Sequence, residues 1–252
     1  MQDEFRPGIE RALGLCRLRF GDRLKTVVLG GSVAFDEALA GVSDMDWFAF
    51  TTDEPTEADL RWQVKTKQML ERDYPVVSEF SLGVFPVEHL RKQDSWRFII
   101  KYNSIRLHGA DIIAELEKEG ITTPPPSIEL LKSRICWTEP MWQCACGGKI
   151  PDKLFKTPDD PFLASRKIAR YFVLLEGAYL LMLDGRFVSF RQSDVLDGLR
   201  MAYPEWKMIY DLTHRVSNAP HEVCMLPEVL ISTIKPFVSW MIQRVKDAPC
   251  AC

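Results

Sequence analysis

The sequence predicts an α+β chain, with a mixed sheet flanked by helices in its first half and an all-helical bundle in its second. Three observations lead there. Short runs with strand character occur at Lys25–Leu29, Asp44–Thr51 and Pro75–Phe85, each bounded by turn-forming residues. The segment Gly120-Ile-Thr-Thr-Pro-Pro-Pro-Ser127 reads as a linker, because three prolines cannot continue a helix. Beyond it strand patterns fade and helical patterns take over. The predicted division is residues 1–120, carrying the sheet, and residues 127–252, carrying the bundle.

Taken in order, Phe5, Ile9, Leu13, Cys16 and Phe20 recur at helical spacing, and Gly21-Asp22 ends that helix. The first strand then runs into Gly30-Gly31-Ser32, and Val33–Leu39 is expected to form a short helix closed by Gly41. After the second strand, Pro-Thr-Glu opens a charged helix over Thr56–Asp73. Alternation in the third strand places Glu79, Ser81 and Gly83 on one face and Phe80, Leu82 and Val84 on the other. Pro86–Leu116 is expected to be mainly helical, with a break at His108-Gly109.

In the second half, Ile128–Cys146 reads as a helix with a kink at Pro140, followed by a loop over Gly147–Asp160. The next helix has Asp160 as N-cap, Pro161 in its first position and Gly185 as its stop. Arg191–Ala202, Pro204–Val216 and Pro227–Lys246 complete the bundle.

Composition excludes several function classes. At 252 residues, 46% hydrophobic and 27% charged, the chain has an ordinary globular make-up with ample length for a core. A net charge of −3 gives no global electrostatic case for nucleic acid or a membrane surface. No apolar run has the length of a membrane span, and the N-terminus lacks the features of a signal peptide. Seven cysteines in no disulfide framework point to a reducing, cytoplasmic compartment. Cys144-Ala-Cys146 and Cys250-Ala-Cys252 do not have the spacing of a structural zinc site.

The stretch Val27–Phe50 carries the chemistry. Its Gly-Gly-Ser turn before a helix offers free backbone N–H groups suited to a phosphate. Eleven residues after Ser32 comes Ser43-Asp44-Met45-Asp46, whose two carboxylates at i and i+2 share one face of a strand. This arrangement, followed by a strand bearing Glu79, resembles the nucleotidyltransferase superfamily, the fold of DNA polymerase beta-like enzymes. The layout of both halves is most similar to the aminoglycoside nucleotidyltransferases and adenylyltransferases. One departure is plain: where the family continues with an Ala-Arg-Gly-like turn, this chain has Val33-Ala34-Phe35-Asp36.

The resemblance implies a magnesium-dependent enzyme, with two ions, that moves a nucleoside monophosphate from ATP or another nucleoside triphosphate onto a hydroxyl group. Asp44, Asp46 and Glu79 would be both the catalytic carboxylates and the metal ligands, with Glu88 as the fallback for Glu79. Gly31 and Ser32 would hold the triphosphate. In the second half, Leu183–Arg191 resembles the helix-turn-helix of the adenylyltransferases, which makes Arg170 and Arg191 expected triphosphate contacts. Lys101 and Arg106, on an expected helix, are weighed against a solvated face. The implied acceptor is a small molecule of aminoglycoside type, met in a cleft between the halves. Glu139, Glu176 and Asp184 are candidates to receive a cationic acceptor, and Trp137 and Trp142 are candidates to stack on a ring. A tRNA or protein acceptor, or a non-catalytic antitoxin-like nucleotide-binding role, are the alternatives.

Overall fold

The structure, a computed structural model, describes residues 2–123, 128–149 and 160–248. The chain forms two compact units, Met1–Pro125 and Pro126–Cys252. Among the described residues no helix is long and apolar enough to cross a membrane.

In the first unit, α1 (Arg6–Phe20) leads through a 3-10 turn into β1 (Leu24–Gly30) and the single-turn α2 (Gly31–Ala34). Then come β2 (Met45–Thr51), α3 (Glu57–Asp73), β3 (Phe80–Pro86), α4 (Val87–Lys92), α5 (Asp94–Asn103), β4 (Ser104–Gly109) and α6 (Ile112–Lys118). The strands make one mixed sheet in the order β3-β2-β1-β4, in which β1 is antiparallel to both neighbours and β2 is parallel to β3. The strand alternation decides the layers. Val27 and Leu29 of β1, Met45, Trp47 and Ala49 of β2, and Phe80, Leu82 and Val84 of β3 pack with Ile9, Cys16 and Phe20 of α1 and Leu70 of α3. On the other face Val28 and Phe50 meet Leu90 of α4, Ile100 of α5 and Ile112 and Leu116 of α6. The α+β class and the mixed sheet expected from the sequence are what this unit adopts.

Three local expectations are corrected. Ser104–Gly109, expected to be helical, is the edge strand β4, paired with β1 from Thr26↔Gly109 to Gly30↔Ser104. Its burial does not alternate, because its side chains are all half-buried or exposed, so the pairing and not the pattern makes the strand. Gly109 has φ +80, and a Cβ there would lie 2.1 Å from the Lys25 carbonyl oxygen. The third strand begins at Phe80 rather than Pro75. The residues before it bond to the loop ahead of β2 instead: the Gly41 N–H donates to the Val76 carbonyl, and the Ser78 N–H and hydroxyl donate to the Ser43 and Val42 carbonyls. The helix expected over Val33–Leu39 starts two residues earlier and stops at Ala34, where the Phe35 and Glu37 N–H groups fold back onto the Ser32 carbonyl and Asp36 takes φ +62.

One buried charge fastens α3 to α1. Thr56 and Asp59 form a capping box at the start of α3. The Asp59 carboxylate, fully buried, also lies 2.8 Å from Arg19 and 3.0 Å from Arg23. Burial raises its pKa, but the Thr56 N–H and hydroxyl and the two guanidiniums outweigh burial and hold it well below the usual carboxylate range.

The second unit is helical throughout its described residues: α7 (Ile128–Cys146), α8 (Pro161–Ala169), a π-helical stretch (Arg170–Leu175), α9 (Glu176–Leu183), α10 (Gln192–Ala202), a 3-10 turn (Pro204–Trp206), α11 (Lys207–Asn218), α12 (Pro220–Val223) and α13 (Pro227–Asp247). Asp160 caps α8 by accepting the Phe162 and Leu163 N–H groups at 2.8 and 3.2 Å, with Pro161 in first place and Gly185 at φ +66 beyond α9. The core holds Trp142, Phe172, Tyr210 and Phe237, all fully buried. Residues 124–127 of the expected linker, 150–159 of the loop before Asp160, and Cys250 and Cys252 lie outside the described residues.

Removing the Asp59 charge is expected to cost the fold about 3 kcal/mol at neutral pH, since it strips a buried anion from two arginines and a cap. A group with a depressed folded pKa stabilises above its unfolded value and loses that contribution as pH falls. Urea unfolding should therefore show the gap between the wild type and Asp59→Asn narrowing as pH falls from 7 to below about 4.

Candidate active site at the head of the sheet

The register of the sheet gathers the site. Gly30 at the end of β1 stands opposite Asp46 near the start of β2, and Asp46 stands opposite Ser81 near the start of β3. Because β2 and β3 are parallel, both begin at the same end of the sheet, and the antiparallel β1 ends there. Gly31 and Ser32, the first two residues of α2, leave backbone N–H groups without intrahelical partners at that end.

Gly31 is shaped by Asp46. It takes φ +67, and a Cβ on it would fall 2.8 Å from Asp46 Oδ2. The carboxylate thus occupies the space that any side chain at position 31 would need.

Asp46 is half-buried and short of positive neighbours. Burial is the main cause that lifts its pKa to about 6; the charge of Asp44 adds to the rise and Glu79 contributes less, while a hydrogen bond from Ser81 opposes it. Asp44 is exposed in the turn before β2. That turn is pinned by Ser43, whose hydroxyl accepts the Leu39 N–H at 2.9 Å and whose carbonyl accepts the Ser78 N–H at 3.0 Å. Glu79 precedes β3; its carbonyl accepts the Met45 N–H at 2.9 Å, and its Oε1 accepts from Lys67 Nζ of α3 at 2.8 Å. Asp44 and Glu79 are each close enough to repel Asp46. Among the described residues, however, no group of three His, Cys, Asp or Glu side chains is arranged to hold a metal. Two carboxylates such as those of Asp44 and Asp46 are the kind of donor Mg²⁺ takes when phosphate and water supply the rest of its shell.

The other candidate residues each have partners within their own unit. Arg170 begins the π-helical stretch and donates to Gln192 Oε1 at 3.0 Å, and Arg191 is the N-cap of α10, its own N–H donating to Ser189 Oγ. Arg191 and the partner of Arg170 thus both stand at the start of α10 in the second unit. Lys101 pairs with Glu117 at 2.8 Å, and Arg106, on β4 rather than a helix, lies 3.9 Å from Asp111. Glu88 pairs with Arg91 and Lys92 within α4.

The acidic candidates of the second unit are each engaged: Glu139 with Lys246, Asp184 with Arg244 and the Tyr203 hydroxyl, and Glu176, buried, with Arg134 at 3.0 Å. Trp142 is a core residue stacked edge-on against Phe172, whereas Trp137 is 73% exposed. Lys67 escaped the sequence reading, since a lysine in a charged helix carries no motif; its only signal is a position one turn before Glu71.

A raised folded pKa means that Asp46 destabilises the fold once ionised. The penalty is absent below about pH 4 and complete above about pH 6. In metal-free buffer Asp46→Asn should therefore be more stable than the wild type at pH 7.5, by about 2–3 kcal/mol, and the gain should vanish near pH 4. Thermal unfolding at both pH values measures it.

No family model and no curated protein matches the chain. Among solved structures the chain is similar to a spectinomycin adenyltransferase, AAD(9), from Enterococcus faecialis, determined with ATP and spectinomycin. The match has a TM-score of 0.53 over 96% of this chain and 99% of that one, at 11% sequence identity. The chain shares the fold of that adenyltransferase.

Proposed function

We propose that the protein transfers a nucleoside monophosphate, AMP from ATP, to a hydroxyl of a small acceptor of the aminoglycoside or aminocyclitol class. The observation that carries this is the crowding of Asp44, Asp46 and Glu79 at the head of the sheet, beside a glycine whose missing side chain admits the Asp46 carboxylate. The fold shared with AAD(9), along nearly the whole chain, supports the class of reaction and the kind of acceptor.

The roles follow from placement. The N–H groups of Gly31 and Ser32 and the Ser32 hydroxyl bind the triphosphate. Asp44 and Asp46 would hold Mg²⁺, which supplies charge neutralisation for the triphosphate and for the departing pyrophosphate. Glu79, the carboxylate with a lysine partner, takes the proton of the acceptor hydroxyl. Asp46 has to be ionised for this work.

Incubation with Mg²⁺ and labelled ATP, against pools of aminoglycosides, tRNA and protein, is expected to label a small molecule. Asp46→Asn should lower that labelling on the order of 100-fold or more. Label appearing in tRNA or protein instead would overturn the acceptor class, and undiminished label from Asp46→Asn would overturn the reaction.

A further inference from the structure

Glu79 is held from two sides. Its backbone is tied to the head of β2 through the Met45 N–H, and its side chain is tied to α3 through Lys67. Lys67 lies 3.6 Å from Glu71, one helical turn further along α3, and Glu71 Oε1 accepts the Phe80 N–H at 3.1 Å. A connected chain Glu71–Lys67–Glu79 thus runs from α3 onto the first residue of β3. Alternation alone would send Glu79 toward the face of Ser81 and Asp46. Lys67 holds that carboxylate, which still adds to the repulsion at Asp46. Among the described residues no three such side chains are placed to hold a metal.

We propose that Lys67 is a positioning residue: it keeps Glu79 out of the ion's ligand set and leaves that carboxylate for the acceptor's proton. This deepens, and rests on, the transfer reading above. A carboxylate bound to a divalent ion has its charge and lone pairs engaged and is a poor base. An ammonium group balances its charge without taking its oxygens into a coordination shell. In the step itself, the acceptor oxygen forms a bond to the α-phosphorus and the bond from that phosphorus to pyrophosphate breaks. The bonding pair leaves with the pyrophosphate, and the acceptor's proton passes to the Glu79 carboxylate. Lys67 keeps its own protons throughout. Without Lys67, Glu79 is released toward Asp44 and Asp46 as a third oxygen ligand.

The test is a pair of substitutions read in two ways on the full chain. Lys67→Met keeps the apolar stem, and Lys67→Arg keeps the charge. By calorimetry Lys67→Met should bind Mn²⁺ about tenfold more tightly, because a third carboxylate joins the ion. The same variant should transfer labelled AMP with kcat about 30-fold lower and KM for ATP little changed. Lys67→Arg should return both values to within about threefold of the wild type. In a Glu79→Gln background, Lys67→Met should change Mn²⁺ affinity less than twofold. Equal tightening in both backgrounds would show that the lysine acts by charge alone and would overturn the proposal, as would an unchanged kcat in Lys67→Met. If the unaltered protein transfers no nucleotide, the transfer reading fails, while the Mn²⁺ cycle still decides whether Lys67 governs the access of Glu79 to the ion.

Discussion

The pairing of β1 with β2 sets Gly30 opposite Asp46, and the site depends on that register. It brings a turn with unpaired N–H groups against a carboxylate without any side chain between them, because Asp46 Oδ2 fills the volume next to Gly31. A slip of one residue would turn Asp46 into the core layer and Trp47 out of it. The apolar contacts of Val27, Leu29, Met45, Trp47 and Ala49 with α1 and α3 forbid that slip. Core packing on one face of the sheet therefore fixes the chemistry on the other.

Two aspartates of the same unit show how environment separates structure from function. Asp59 is fully buried, yet four donor groups surround it and keep it ionised. Asp46 is pushed up to about 6 by burial first and then by the charges of Asp44 and Glu79. The first arrangement strengthens the fold. The second weakens it in the absence of a cation, as groups held for binding or catalysis commonly do.

Much of this was written in local sequence. The strands through Val27–Phe50, the helix after Thr56 and the Asp160–Pro161 start all have short-range signals, a periodicity or a cap, and the structure follows them. The edge strand Ser104–Gly109 has no such signal, because only the partner β1 makes it a strand. The six-residue π-helical stretch at Arg170 lies inside one apolar periodic run and leaves no mark there. Asp44, Asp46 and Glu79 could be named because carboxylates stand out in an apolar pattern. Lys67 could not, since its meaning comes from a contact twelve positions away in the chain.

The parallel pairing of β2 with β3 also bears on how the unit acquires its site. Parallel neighbours cannot be joined by a tight turn, so the chain has to travel out along β2 and come back through α3 before Glu79 and Ser81 reach Asp46. The helix and the first antiparallel pair can form from nearby contacts. The assembled carboxylates cannot, because they wait on closure of a long loop, the slower and entropically costlier event. A nascent chain that ends before Glu79 already carries the whole of the Gly-Gly-Ser to Asp46 stretch and still has no third carboxylate beside it. The carboxylates therefore come together only when the crossover docks, and the charge repulsion at Asp46 is met in full only at that late stage.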